Sequence, residues 1–151
     1  ISLVMKLPPP SYARRGGEII AAQLAEVGIK AEIVPVEWAQ WLSEVFRNDH
    51  LFDLTVISHT EPLDIDIYTR DDYYFGYSSG RFNAAMTKIT NSNEEAERDQ
   101  LYGEAQRIIA DDAANVFLFQ LAKHGVQKRG LKGMWRNSPI QANDVTRARW
   151  E

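Results

Sequence analysis

The order in which short apolar strands and amphipathic stretches follow one another constrains this chain more than any single motif does. Ile1 to Leu7 is apolar and rich in strand formers, and the run Pro8-Pro9-Pro10, which cannot donate ladder hydrogen bonds, stops it. From Arg14 to Val27, Ile20, Leu24 and Val27 recur at i, i+4 and i+7, which predicts a helix, and Gly28 stands where a left-handed cap is wanted. Ile29 to Pro35 alternates like a strand with one better-buried face. Trp38, Trp41, Leu42, Val45 and Phe46 then form a helical apolar stripe within 37–47, read as core, and Phe52 to Ser58 is a third strand. A β-α-β-α-β order with short connections predicts an α/β fold, a mixed or parallel sheet covered by helices, because parallel neighbours need crossovers. Loops at the strand ends become the binding edge.

Further along, Asn91 to Ala113 reads as one helix, with Ser92 and Glu95 spaced as a capping box and Leu101, Ala105, Ile108 and Ile109 as its stripe. Val116 to Leu121 reads as a buried strand. The stretch Lys123 to Trp135 is basic and punctuated by Gly125, Gly130 and Gly133, and the final segment is irregular. Trp135 and Trp150 must pack either on this domain or on something beyond it. The start at Ile1, already inside a strand, suggests a chain cut from something longer.

Composition removes several classes of function. With 151 residues, 44% hydrophobic and 25% charged, the chain is long enough for one domain with a real core. Its formal net charge of -4 offers no field for nucleic acid or an anionic membrane and favours a cationic partner. The absence of cysteine excludes disulfides, thiolate nucleophiles and zinc-thiolate sites, and says nothing of compartment. No apolar run is long enough to span a bilayer, and the N-terminus lacks the blocks of a signal peptide.

The informative stretch runs from His59 to Asn83. Tyr68, Tyr73, Tyr74 and Tyr77, four of the 6 tyrosines, lie there with Phe75 and Phe82, among Glu61, Asp64, Asp66, Asp71 and Asp72. Acids interleaved with tyrosines can hold an amine or guanidinium by charge-assisted hydrogen bonds and cation-π contact, a binding signature rather than a catalytic one. A second reading stands beside it, that these rings simply cover the core. Asp64 and Asp66 could be imagined as a hydrolytic pair, but neighbours at i and i+2 of an extended segment point the same way and leave no obvious opposed acid. His50, His59 and His124 are too far apart in sequence for a helical metal pair. Arg14-Arg15-Gly16-Gly17 matches neither phosphate-binding glycine pattern, and no serine sits in a nucleophile elbow. No cofactor or metal is expected.

The succession Arg14-Arg15-Gly16-Gly17-Glu18-Ile19-Ile20-Ala21-Ala22-Gln23-Leu24-Ala25-Glu26-Val27-Gly28-Ile29 resembles the second lobe of the family 5 extracellular solute-binding proteins, the peptide-type receptors of ABC importers. The resemblance continues through Glu37-Trp38-Ala39-Gln40-Trp41-Leu42, Phe52-Asp53-Leu54, Tyr77 to Asn83, Leu101-Tyr102-Gly103-Glu104-Ala105-Gln106 and the closing Trp150. It implies a portion of a two-lobed, hinged-clam (class II) receptor, periplasmic or at the cell surface. Such a receptor binds a peptide or similar, possibly cationic, solute without catalysis and hands it to a membrane permease. Residues 1–120 would form the ligand-binding lobe, and 121–151 a hinge and C-terminal segment returning toward the first lobe. In peptide-binding members an acid after the third strand of this lobe holds the ligand's amino group, within a stretch resembling Asp-Tyr-x-Asp-Pro-Asp. Here Glu61-Pro62-Leu63-Asp64-Ile65-Asp66 matches it, which gives Glu61 the amine-binding place and makes Asp64 and Asp66 loop-shaping acids. The proline has moved to position 62, and Ser58 stands where a tryptophan is frequent. The resemblance together with the loop composition gives Glu61, Asp64, Tyr73, Tyr74, Tyr77 and His59 as candidate ligand-binding residues. Two alternatives are a docking module that senses solute for a signalling receptor, and a hydrolase fragment using Glu61, Asp64 and Asp66.

Overall fold

The structure, a computed structural model, describes residues 1–47, 51–59, 64–121, 125–134 and 145–151. Its frame is a three-stranded sheet in the order β2-β1-β3, with β1 (Ser2–Leu7) in the centre, β2 (Lys30–Pro35) on one side and the short β3 (Leu54–Thr55) on the other. All pairings are parallel, Ser2 opposite Lys30 through Leu7 opposite Pro35, and Met5 and Lys6 opposite Leu54 and Thr55. A mixed sheet is thus replaced by a parallel one, as helical crossovers between successive strands require. The antiparallel pair β4 (Leu131–Lys132) and β5 (Arg149–Trp150) is a separate ladder.

Helix α1 (Ser11–Glu26) covers one face of the sheet, where Met5, Leu7, Ala13 and Val56 are buried with Ile20, Leu24 and Ile33 around them. It starts three residues before the expected Arg14, because the proline run ends the strand and Pro10 O already accepts from the Ala13 and Arg14 N–H groups. At its other end Gly28 takes φ 80° and Ile29 N–H returns to Leu24 O at 3.0 Å, the left-handed closure expected there. Gly17 is the point of closest approach: a Cβ there would lie 2.3 Å from Leu7 Cδ1. A larger residue would hold the helix off the central strand.

On the opposite face the expected helix is divided into α2 (Trp38–Trp41) and a wider-wound π-helical segment, Leu42–Arg47. Val36, Trp41, Val45 and Tyr74 are buried there. Trp41 Nε1 donates to Thr55 Oγ1 at 3.0 Å, and that hydroxyl donates to Lys6 O at 2.7 Å. Lys6 points into this layer and pairs with Glu44 at 2.5 Å. The hydrogen bonds from Lys6 and then Gln40 hold the Glu44 carboxyl below the usual carboxylate range.

The third part is a helical hairpin. The helix expected over 91–113 is α4 (Glu95–Asp111), and a helix that was not expected, α3 (Gly80–Asn91), precedes it. Ser92 is no N-cap: it ends α3, and its hydroxyl bonds Glu97 instead. Phe82, Ala85 and Ile89 of α3 pack on Ala105, Ile108 and Ile109 of α4, joined by Ile67 and Tyr68. Tyr73 and Phe75 pack against both this core and that of α2, so the loop between them ties the hairpin to the sheet layer.

The expected buried strand 116–121 is not one. Val116, Phe117, Leu118, Phe119 and Leu121 are exposed, and no described strand pairs with the segment. Strand propensity is local, whereas a strand exists only through a ladder partner. Trp150 stands exposed in β5, and Trp135 lies outside the described residues.

Candidate functional site

In an open parallel sheet the carboxyl ends of the strands form the binding edge, because the loops that leave them are free to diverge. Here that edge is made by Pro8 after β1, Val36 and Glu37 after β2, and 56–59 after β3. Tyr12, in the first turn of α1, reaches across it, and its hydroxyl accepts the Ser58 N–H at 3.0 Å. The Arg14 guanidinium bonds Glu37 at 3.2 Å, linking α1 to the loop that opens α2. Beside Glu37, Trp38 is half-exposed and meets the buried Trp41 edge to face at 5.8 Å. The tryptophan stripe is therefore divided, with Trp41 in the core and Trp38 on the edge.

His59 ends the described part of this edge. Its ring lies parallel to that of Tyr74, with 2° between the planes, and Nε2 is 3.1 Å from the Tyr74 hydroxyl. Tyr74 is buried against Trp41, Phe46, Tyr73 and Phe75. Burial, with the neighbouring tyrosines, pushes its hydroxyl well above the usual tyrosine range. The imidazole thus lies beside a neutral phenol, oriented by this hydrogen bond and the parallel ring. Glu61, two residues on, lies outside the described residues, as do Pro62, His50 and His124.

The remaining candidates separate by surroundings. Asp64 opens the 3₁₀ turn Asp64–Thr69. In that turn Asp66 accepts from Arg70 at 2.8 Å, and its carbonyl accepts from the Thr69 hydroxyl at 2.7 Å, so this acid shapes the loop. Tyr73 packs between Phe46, Tyr74 and Phe75, with Arg70 over its ring at 5.5 Å. Tyr77 is turned toward the helical hairpin, where its hydroxyl donates to Asp112 Oδ2 at 2.7 Å. The structure therefore brings His59, Tyr73 and Tyr74 together and sends Tyr77 elsewhere. Tyr12, Glu37 and Trp38 were not among the residues expected at the site. Their signal was positional: each lies within five residues of the end of a parallel strand, where apolar periodicity says nothing.

Among the described residues no group of three His, Asp or Glu side chains gathers to hold a metal, and no helix is long and apolar enough to cross a membrane. No family model matches the chain. It is 25% identical over 152 residues to di/tripeptide-binding protein 2 of Pseudomonas aeruginosa, a match covering 93% of this chain and 28% of that protein. Its fold superposes with a TM-score of 0.69 and 19% identity on a dipeptide-binding protein from Pseudoalteromonas sp. SM9913 solved with Met-Leu, over 99% of this chain and 32% of that one. An ABC transporter-associated periplasmic binding protein, DppA from Helicobacter pylori, solved with the peptide STSA, gives a TM-score of 0.57 at 22% identity over 75% of this chain and 24% of that one. The chain thus spans about a quarter to a third of the length of these proteins.

Proposed function

We propose that this chain, which belongs to the family 5 extracellular solute-binding proteins, is one lobe of a two-lobed receptor that binds a peptide in a cleft between lobes and delivers it to an ABC permease. The family binds its solute and makes no bond. In this reading residues 1–120 are the ligand-binding lobe, 121–151 are hinge and return segment, and the complete receptor works in the periplasm or at the cell surface. The observation that carries it is the coincidence of two independent features. The carboxyl edge of the parallel sheet runs into His59 beside Tyr74, and the next residues in sequence are the acidic stretch Glu61 to Asp66. In this reading Glu61, two residues beyond His59 in sequence, supplies the carboxylate for the solute's ammonium group, with Asp64 close behind in sequence, while Tyr74, packed on Tyr73, holds His59. Trp38 and the Arg14–Glu37 pair extend the same edge across β2 and offer an aromatic face and charge to the rest of the solute.

The reading is tested by thermal shift of the complete receptor against dipeptides, longer peptides, amino acids, sugars and simple amines. A ligand at a hundred times its dissociation constant stabilises the native state by about 2.7 kcal/mol, a shift of several degrees. Stabilisation by peptides with a free amino terminus is expected. Stabilisation by sugars alone, with peptides silent, would overturn the reading.

A further inference from the structure

The chain leaves its helical hairpin through four residues that are tied down one after another. Asp112 caps α4, its N–H bonding Ile108 O at 2.9 Å. Both of its carboxylate oxygens are taken, Oδ2 by the Tyr77 hydroxyl at 2.7 Å and Oδ1 by the Arg81 guanidinium at 2.6 Å. Ala113 adopts φ 50°, the left-handed region that a residue with a Cβ enters at a cost of roughly 1 kcal/mol. Ala114 N–H then returns to Ile109 O at 3.2 Å. Asn115 donates from Nδ2 to the Tyr68 hydroxyl at 2.6 Å.

The two tyrosines that hold these residues are themselves fixed. Their rings meet edge to face at 5.8 Å, and both lie edge to face on the fully buried Phe82. Directly beyond this anchorage comes the uncharged run Val116–Leu121, with five apolar side chains in water. A plain linker gains nothing from a strained residue and three side-chain hydrogen bonds at its root. An apolar run whose partner lies in one direction does, since a loosely held run would lose that much more entropy on pairing.

We infer that 112–115, gripped by Tyr77, Arg81 and Tyr68, form an orienting collar that fixes the direction in which Val116–Leu121 leaves the body. Tyr77 is then a positioning residue for that run and not a contact to the solute. The purpose of the collar rests on the receptor reading, in which the run leads toward the other lobe; its existence does not. The collar also accounts for a polar knot built into an exposed surface: Asp112 is held below the usual carboxylate range first by the Tyr77 hydrogen bond and then by Arg81 and Ser79.

The chain has no cysteine, so Lys88→Cys on α3 and Phe119→Cys in the run give two unique spin-label sites, both on exposed residues. Pulsed dipolar spectroscopy should return one narrow distance distribution. Tyr77→Phe and Asn115→Ala should each replace it by a broad one, while circular dichroism shows the helices intact. Arg81→Gln, which alters a mostly exposed side chain, reads the same collar if Tyr77→Phe does not fold. A broad distribution in the parent, or an unchanged narrow one in the folded variants, would overturn the inference. No solute is present in this experiment, so its failure leaves the receptor reading standing. Failure of the complete receptor to bind peptides would likewise leave the collar standing.

Discussion

Phe82 and Phe119 carry the same side chain in opposite circumstances. Phe82 is 0% exposed between α3 and α4, whereas Phe119 is 60% exposed in a run that pairs with no described strand. The difference lies in what each segment closes against. The hairpin completes its own core within 64–115, because two helices joined by a short turn supply both halves of one apolar contact. The run meets no such second half among the described residues. The exposed run is by local sequence the more apolar of the two, so burial here is a property of pairs of elements.

The largest test of that contrast is the pair of truncations. Phe82→Ala should destabilise the fold by about 3–5 kcal/mol, and Phe119→Ala by less than about 0.5 kcal/mol, measured by urea unfolding. Comparable losses would mean that the run packs on the body in solution. Next, Gly17→Ala drives a methyl into the buried Leu7 and should cost about 1–3 kcal/mol; no change in the urea midpoint would show that α1 can withdraw from the central strand at no cost.

A third test uses pH. Tyr74 is raised when folded, so its contribution is complete below the unfolded tyrosine value of about 10 and is lost as pH rises beyond it. The melting temperature should fall in alkali, and Tyr74→Phe should flatten that fall; an unaltered slope would take the hydroxyl out of the interior. The smallest effect is expected at Ala113. Replacing it with glycine relieves the left-handed strain at the end of α4 and should stabilise by about 0.5–1 kcal/mol, whereas destabilisation by the same amount would show that the residue is not left-handed in solution.

How much of this was legible follows from the kind of signal each element leaves. The spacing of Ile20 and Leu24, the cap at Gly28 and the alternation along the first part of β2 are local and were readable. Val27, third of that stripe, instead falls past the helix end and is exposed, and Pro35, expected on the better-buried face, is exposed while Val34 is half-buried. Helix α3 was not, although Phe82, Ala85, Met86 and Ile89 stand at i, i+3, i+4 and i+7. Its other positions, Asn83, Thr87 and Thr90, are weak helix formers, and its start is marked only by Ser79, whose hydroxyl accepts the Phe82 N–H. Ser92 misled because its spacing to Glu95 mimics a capping box while its hydroxyl reaches Glu97. At the site, His59 could be named from composition, but its place beside Tyr74 is a contact across 15 positions that no periodicity encodes. Trp38 and Trp41 belong to one stripe and part company only because the helix begins at the sheet edge.

The central claim, that the carboxyl edge of this sheet anchors a peptide through the acid after β3, is tested most directly by calorimetric titration of the complete receptor with the peptide that stabilises it most. Glu61→Gln should weaken binding by about 1.5–3 kcal/mol, and acetylating the peptide's amino terminus should cost a similar amount in the parent but little more in the variant. Equal affinity of parent and variant for the free peptide would remove Glu61 from the site and contradict the account.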